Sequence, residues 1–371
     1  MPDPRRVHLI DPGADGDVPS TGHRTSSVVD PAAPPLNLFD KEKAMRQLPR
    51  PTVSAALAAV AASLLVGCGS DDEPSATDSS GVVTLRVAVF PIANLAPLYV
   101  GIEQGFFEEE GLSIEPVEQG GGAQVITALS AGEVDVGWSS TPGTIIAAAQ
   151  GLPIRIVAPG TVGPDSADAM TGQPMVVAAD SPIQGIEDLA GKKIAVNTVG
   201  NILEVTISAA LEKAGVDPGS VEFVEIPPPD QPAALATGNV DVISASEPFY
   251  TQVTSSGEGR AIFDAFYAAA PSLPTGHWIS TDPHASENED VLARFDRAIT
   301  EANEYSNSNP DEARAAIPTF TQIPPGIVDR IGLSTWSDDI DVSGLETVQE
   351  LTRSYGPPDL DEVDLDSLVL E

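Results

Sequence analysis

Leu129-Ser130-Ala131-Gly132-Glu133-Val134-Asp135-Val136-Gly137-Trp138-Ser139-Ser140-Thr141-Pro142 returns 106 residues later as Leu235-Ala236-Thr237-Gly238-Asn239-Val240-Asp241-Val242-Ile243-Ser244-Ala245-Ser246-Glu247-Pro248. Leucine, glycine, Val-Asp-Val, serine and proline recur in register, seven identities in fourteen positions. Each copy reads as a helix end, a glycine stop, a short apolar strand, and a loop whose Ser and Pro open another helix. Around the first copy, strands at Leu85–Val89, Ser113–Val117 and Val134–Gly137 alternate with helices at Leu95–Gln104, about 123–131 and Pro142–Gln150. Around the second, Lys193–Val196 matches Arg86–Val89, and Asn201 falls 107 residues after Asn94. Helices at Ile202–Ala214 and Pro232–Thr237 continue it. This alternation predicts βαβ units on a largely parallel sheet, twice over, hence two α/β lobes.

Beyond His277-Trp278-Ile279 the chain reads as wholly helical. Asn288–Ser306 carries Val291, Leu292, Phe295, Ile299 and Ala302 at helical spacing, and Pro310–Ile317, Pro325–Leu333 and Ser343–Tyr355 follow. Such a tail has no sheet of its own and is expected to return to the first lobe. The expected division is lobe 1 at 82–178 plus 276–371 and lobe 2 at 179–275.

The N-terminal part has a different character. Val53–Val66 is an uncharged apolar run of 14 residues, preceded by Arg46 and Arg50 and followed by Gly67-Cys68. As a helix it would rise about 21 Å, short of a hydrocarbon core of ~30 Å, so it reads as the core of a signal peptide over 45–67. Leu65-Val66-Gly67-Cys68 resembles a bacterial lipobox, which makes Cys68 the expected lipid attachment point. Residues 68–81, rich in Ser and Asp, read as a solvated tether. Residues 1–44 fit no signal pattern and are expected to be unstructured, with translation beginning at Met45.

The acidic excess follows the same division. The chain has 55 Asp plus Glu against 18 Lys plus Arg, a formal charge of −37, yet the segment before Cys68 is balanced. All the net negative charge belongs to the part after Cys68. Such a surface repels phosphates, so nucleic acid is excluded as a partner. A single cysteine excludes an internal disulfide and a cysteine-rich metal site. No phosphate loop, nucleophile elbow or His pair at metal spacing occurs, so neither an enzyme nor a metal or other cofactor is expected.

In open α/β sheets, ligands sit beyond the carboxyl ends of the strands, where loops feed helix N-termini. That rule selects Phe90–Asn94, Gly120–Gln124, Trp138–Pro142, Asn197–Asn201 and Ser246–Phe249. The candidate ligand contacts are Asn94, Gly121, Gly122, Gln124, Ser139, Ser140, Thr141, Thr198, Asn201, Ser246 and Glu247. Free N–H groups, hydroxyls and amides at the positive ends of helices suit a carboxylate, sulfonate, phosphate or similar polar group. The same residue types also serve as helix caps with no ligand at all. Glu247 has two readings, partner of a ligand amine or acid favoured at a helix start. Asp135 and Asp241, at matching places in the two copies, read as structural acids inside strands. His277 and Trp278 fall near the expected hinge.

The residues as a set resemble the nitrate, sulfonate and taurine type of ABC-transporter solute-binding proteins, a group related to the thiamine-pyrimidine family. The resemblance rests on Ala96–Val100 with Gly105–Leu112, Gly132–Gly137, Asp188–Val196, Glu247-Pro248-Phe249, and Ala302–Tyr305 with Asn309–Ala313. It implies a type II periplasmic-binding fold, two doubly wound lobes joined by two crossovers, closing a cleft on a small polar or anionic organic solute. Sulfonate, taurine, nitrate and pyrimidine-like compounds are the implied range. It also implies delivery of solute to a permease and its ATPase; with the lipid expected on Cys68, a monomer at the outer face of the cell membrane is expected. The alternatives are an enzyme on the same fold, of the pyrimidine-precursor or menaquinone-pathway type, and a ligand-sensing subunit.

Overall fold

The structure is a computed structural model that describes residues 81–370; the expectations for residues 1–44, Met45, the signal segment and Cys68 lie outside the described residues. In chain order the strands are β1 (Val83–Val89), β2 (Leu112–Glu118), β3 (Val136–Ser140), β4 (Ile154–Val162), β5 (Pro174–Ala178), β6 (Lys193–Val196), β7 (Glu222–Glu225), β8 (Val242–Ser244), β9 (Gly259–Asp264), β10 (Pro274–Thr281) and β11 (Thr335–Trp336). The helices are α1 (Ala96–Gln104), α2 (Phe106–Glu109), α3 (Gly122–Ser130), α4 (Thr141–Ala149), α5 (Ile202–Lys213), α6 (Gln231–Ala236), α7 (Phe249–Ser255), α8 (Ala265–Ala269), α9 (Asp282–Glu287), α10 (Glu289–Ser308), α11 (Pro310–Ala316), α12 (Val342–Tyr355) and α13 (Leu365–Leu368).

The strands form two sheets, ordered β11-β4-β10-β3-β1-β2 and β7-β6-β8-β5-β9. Within each sheet the repeated βα units pair in parallel, β1 with β2 and β3, and β6 with β7 and β8. The sheets are mixed rather than largely parallel, and the connections explain why. The chain leaves the first sheet along β4 and re-enters along β10, so these two run antiparallel; β5 and β9 are the corresponding entry and exit of the second sheet. Because β5 is hydrogen-bonded between β8 and β9, the first crossover occupies residues 163–173, and the expected boundary at 178/179 moves back to precede Pro174. Burial drives this: Met175, Val176 and Val177 are fully enclosed in the second sheet. The return strand likewise begins at Pro274, not 276. The crossovers bond to each other through Gly163 N–H to Leu273 O (2.7 Å) and Ser272 N–H to Pro164 O (3.1 Å).

The internal repeat has a physical core. The carboxylate of Asp135 accepts from the Arg86 backbone N–H at 2.8 Å, and that of Asp241 accepts from the Lys193 N–H at 2.9 Å. Both acids stand just before β3 and β8, not inside them, and tie these strands to the parallel neighbour, at the middle of β1 and the start of β6. Asp135 also holds the Arg86 guanidinium, with bonds of 3.1 and 2.6 Å. The third strand begins two residues later than its apolar pattern suggests and takes in Trp138, Ser139 and Ser140, because β10 pairs with it as far as Ser140.

The tail largely behaves as its periodicity requires. α10 buries Leu292, Phe295 and Ile299 against the first lobe. Two features depart from expectation. Thr335–Trp336 adds a strand to the edge of the first sheet, so the tail is not wholly helical. α12 packs on α4 and also on α5 of the second lobe, so it bridges the lobes instead of covering one. Among the described residues, no helix is long and apolar enough to cross a membrane.

Candidate functional site

Between the lobes lies a cavity with about 590 Å³ of atom-free space, counted to its open mouth. Its first-lobe wall comes from the end of β1 and the loop after it (Phe90, Ile92, Asn94), the start of α3 (Gly122), β3 (Trp138, Ser140) and β10 (Thr275). The second-lobe wall comes from Asn197, Asn201, Ile202, Leu203, Pro228, Ser246 and Phe266, and Gln173 enters from the first crossover. A neighbouring recess shares Gly122, Ser140 and Asn201 and adds Ser139, Gly143 and Thr198. The site therefore lies beyond the carboxyl ends of the repeated strands, where helix N-termini face it.

Local sequence explains the walls. Ser140 leaves β3 in extended conformation and caps α4, its hydroxyl oxygen accepting from Gly143 N–H at 3.3 Å. Asn201 caps α5 in the same way, accepting from Leu203 N–H at 3.0 Å and donating to Asn197 Oδ1 at 2.7 Å. The side-chain oxygens of Ser140, Asn201 and Asn197 thus already accept within the protein. α3 opens at Gly122 with no side-chain cap. Three helix N-termini border the cavity, and each presents partial positive charge.

Seven of the sequence candidates come together in the cavity and its recess: Asn94, Gly122, Ser139, Ser140, Thr198, Asn201 and Ser246. Four line neither. Gly121 is the buried residue preceding α3, and Gln124 is exposed, its side chain lying over Gly120 and Gly121. Thr141 is fully buried, its hydroxyl 3.1 Å from His277 Nδ1 behind β3. Glu247 turns away altogether. Its carboxylate accepts from Thr251 N–H (3.0 Å), Thr251 O–H (2.7 Å) and Gly332 N–H (2.8 Å), so it fastens α7 to the C-terminal segment and is no partner for a ligand amine. Burial pushes its carboxyl above the usual range.

Sequence reasoning passed over Gln173, Pro228, Phe266 and Thr275. Gln173 and Phe266 are held by one buried acid, Asp264, which accepts from Gly172 N–H (3.0 Å), Phe266 N–H (3.0 Å) and Tyr267 N–H (3.2 Å). Burial outweighs these bonds and pushes Asp264 up to about 6. His277 is fully enclosed and pushed down to about 4, so near neutrality it is an uncharged core residue. Trp278 is also core, packed edge-on against Phe295 with ring centroids 5.6 Å apart.

The cavity lining holds no ionisable side chain. It does hold buried donors without partners, the indole N–H of Trp138 and the side-chain amide of Gln173. Around them stand Phe90, Trp138 and Phe266, with Phe90 edge-on to Trp138 at 5.5 Å. No group of acids, histidines or cysteines that could hold a metal occurs among the described residues.

Two lobes joined by two crossovers, with a cleft at the strand ends, make up the periplasmic-binding fold. The family model described as NMT1/THI5 like matches residues 92–313, and the chain belongs to that family. It is 26% identical over 207 residues to the taurine-binding periplasmic protein of Escherichia coli, covering 56% of this chain and 61% of that one. It is 25% identical over 243 residues to the formylaminopyrimidine-binding protein of Halalkalibacterium halodurans, covering 64% and 71%. Among solved structures it is similar to the alkanesulfonate-binding protein SsuA of Xanthomonas axonopodis pv. citri bound to MOPS, with a TM-score of 0.63, 19% identity, and coverage of 77% of this chain and 98% of that one. These relatives are binding proteins rather than enzymes.

Proposed function

We propose that this protein is the extracytoplasmic solute-binding component of an ABC importer, capturing a small polar or anionic organic solute between its lobes. The observation that carries this reading is the meeting of three helix N-termini and unpaired buried donors on an interlobe cavity. Unsatisfied buried donors are costly, and a ligand rich in acceptors removes that cost. Helix N-termini add electrostatic favour for such a ligand without any cationic side chain. The fold and the family membership support the same reading, as do relatives named for taurine and alkanesulfonate. Contacts with solute fall to Asn94, Gly122, Ser139, Ser140, Thr198, Asn201 and Ser246. Lipid on Cys68 would hold the protein at the membrane beside the permease and its ATPase. Cys68→Ser should then release the protein from the membrane fraction.

A thermal-shift screen tests the binding reading, with sulfonates, taurine, nitrate, pyrimidines and aromatic carboxylates as probes. A true ligand at 100 times its Kd adds about 2.7 kcal/mol of stability. Loss of that shift in Ser140→Ala or Asn201→Ala supports the cleft assignment. A panel with no shift, or a shift unchanged in both variants, refutes it.

A further inference from the structure

The cleft offers polar groups and helix N-termini but no charged side chain, and that asymmetry specifies its ligand. On the acceptor side, the amide oxygens of Asn197 and Asn201 already accept from Asn201 Nδ2 and Leu203 N–H, and the Ser140 oxygen accepts from Gly143 N–H. No carboxylate lines it: Asp264 and Glu247 spend both oxygens on protein donors, and Glu225 and Glu204 accept from the Val199 and Gly200 N–H groups at the recess. On the donor side, Trp138 Nε1 in the first lobe and Gln173 Nε2 in the first crossover are buried without partners. A ligand ammonium would find no counter-charge here, and a buried unpaired cation is far more costly than an unpaired amide. An oxyanion head group would satisfy the free donors, and the rings of Phe90, Trp138 and Phe266 would cover an apolar body.

Resting on the reading that this cleft binds solute, we propose that Trp138 and Gln173 are its specificity-determining donors. They read an amine-free organic oxyanion and reject the zwitterion with the same head group. Gln173 belongs to the first crossover, held there by the Asp264 bond to Gly172 N–H and by Ala265 N–H donating to Gln173 O at 2.9 Å. Trp138 is held by the first lobe, against Gly276. A head group bonded to both therefore ties the crossover to the first lobe.

Ethanesulfonate and taurine differ only by the amine and form the matched pair for a calorimetric test on the full chain; pentanesulfonate extends the apolar body. The expected result is tighter binding of ethanesulfonate than of taurine by at least about 10-fold, with pentanesulfonate tighter still. Trp138→Phe keeps a ring and removes the N–H, and Gln173→Leu removes the amide. Each should weaken the alkanesulfonates roughly 10- to 100-fold, the range for a hydrogen bond to a charged group. Gln173→Leu should not lower the melting temperature of the ligand-free protein, because it removes an unpaired buried group. Trp138→Phe also vacates the space its indole fills against Gly276 and should lower it, so its loss of affinity is read beside that of Gln173→Leu. Gln173→Glu should reverse the selectivity, losing ethanesulfonate and gaining taurine relative to it. Equal or tighter binding of taurine by the unaltered protein overturns the proposal, as does unchanged affinity in both Trp138→Phe and Gln173→Leu. A pyrimidine that binds where no sulfonate does overturns this proposal alone and leaves the solute-binding reading standing. Absence of any binding across the whole screen removes both.

Discussion

His277 and Asp264 titrate over the same pH interval with opposite effects on stability. His277, enclosed between β3 and the rest of the first lobe, is pushed from 6.5 down to about 4 by burial. Between those values the unfolded chain binds the proton and the folded one does not, so its contribution is present above pH 6.5 and is lost as pH falls toward 4. Asp264 is pushed from 3.8 up to about 6, also by burial. Here the folded state holds the proton, so the contribution is present below pH 3.8 and is lost as pH rises through 6. Each linkage is worth about 3 kcal/mol, and in the native protein they largely offset. Glu247, raised by burial as well, adds to the Asp264 side. Denaturant unfolding at pH 4, 5 and 6.5 should separate them. Asp264→Asn should make the chain lose about 3 kcal/mol more than the native protein as pH falls across this range. His277→Gln, which keeps a partner for Thr141, should do the reverse. Identical pH slopes in the native protein and both variants would contradict these assignments.

At the level of elements, the β3–β10 pair carries the site's most demanding packing. Gly276 stands opposite Ser140, and the Trp138 indole reaches diagonally across the same face to lie on it. A Cβ at Gly276 would sit 2.1 Å from Trp138 Cζ2, well inside contact distance. Gly276→Ala should therefore displace the indole, costing about 1–3 kcal/mol of stability and weakening solute binding with it. Thermal unfolding and calorimetry on the same variant check both effects, and a variant equal to the native protein in each would refute this packing account. The contrast with Ser140 and Asn201 explains what the sequence made legible. A helix cap is a local device, in which a serine or asparagine followed by a helical pattern reveals its own position, so the capping corners of the cleft could be read directly. Gln173 sits in the first crossover and Phe266 in α8, just after the second sheet ends, and their place depends on how the chain leaves one sheet along β4 and the other along β9. Glu247 misleads for the same reason, since its partner Gly332 is 85 residues away. The two-lobed plan was legible because the Val-Asp-Val repeat encodes the same strand-locking carboxylate twice. The antiparallel strands were not, because nothing in a short apolar run states the direction of its neighbour.

For the whole molecule, the formal charge of −37 sets the conditions under which an anion reaches the cleft. Seven ion pairs occur among the described residues, each with at least one exposed partner, and they leave most carboxylates without a cationic partner. The field at a distance is therefore repulsive to a sulfonate, although the helix termini at the cleft favour it once it arrives. These two influences differ in range and so respond differently to salt. The Debye length shortens from about 30 Å at 0.01 M to about 8 Å at 0.15 M, which removes the long-range repulsion and leaves the contacts inside a closed cleft nearly untouched. Electrostatically steered associations slow as salt is added. Here the sign should invert: the association rate for pentanesulfonate should rise with sodium chloride over that interval, roughly 2- to 10-fold, while the dissociation rate changes little. Stopped-flow tryptophan fluorescence provides the readout, Trp138 being the one of the three tryptophans that lines the cleft. A neutral pyrimidine in the same cleft would associate at a rate indifferent to salt, so the slope also reports the charge of whatever solute this protein carries. An association rate for the sulfonate that falls with salt would mean that a local positive potential governs its approach, and would refute the repulsive field assigned here.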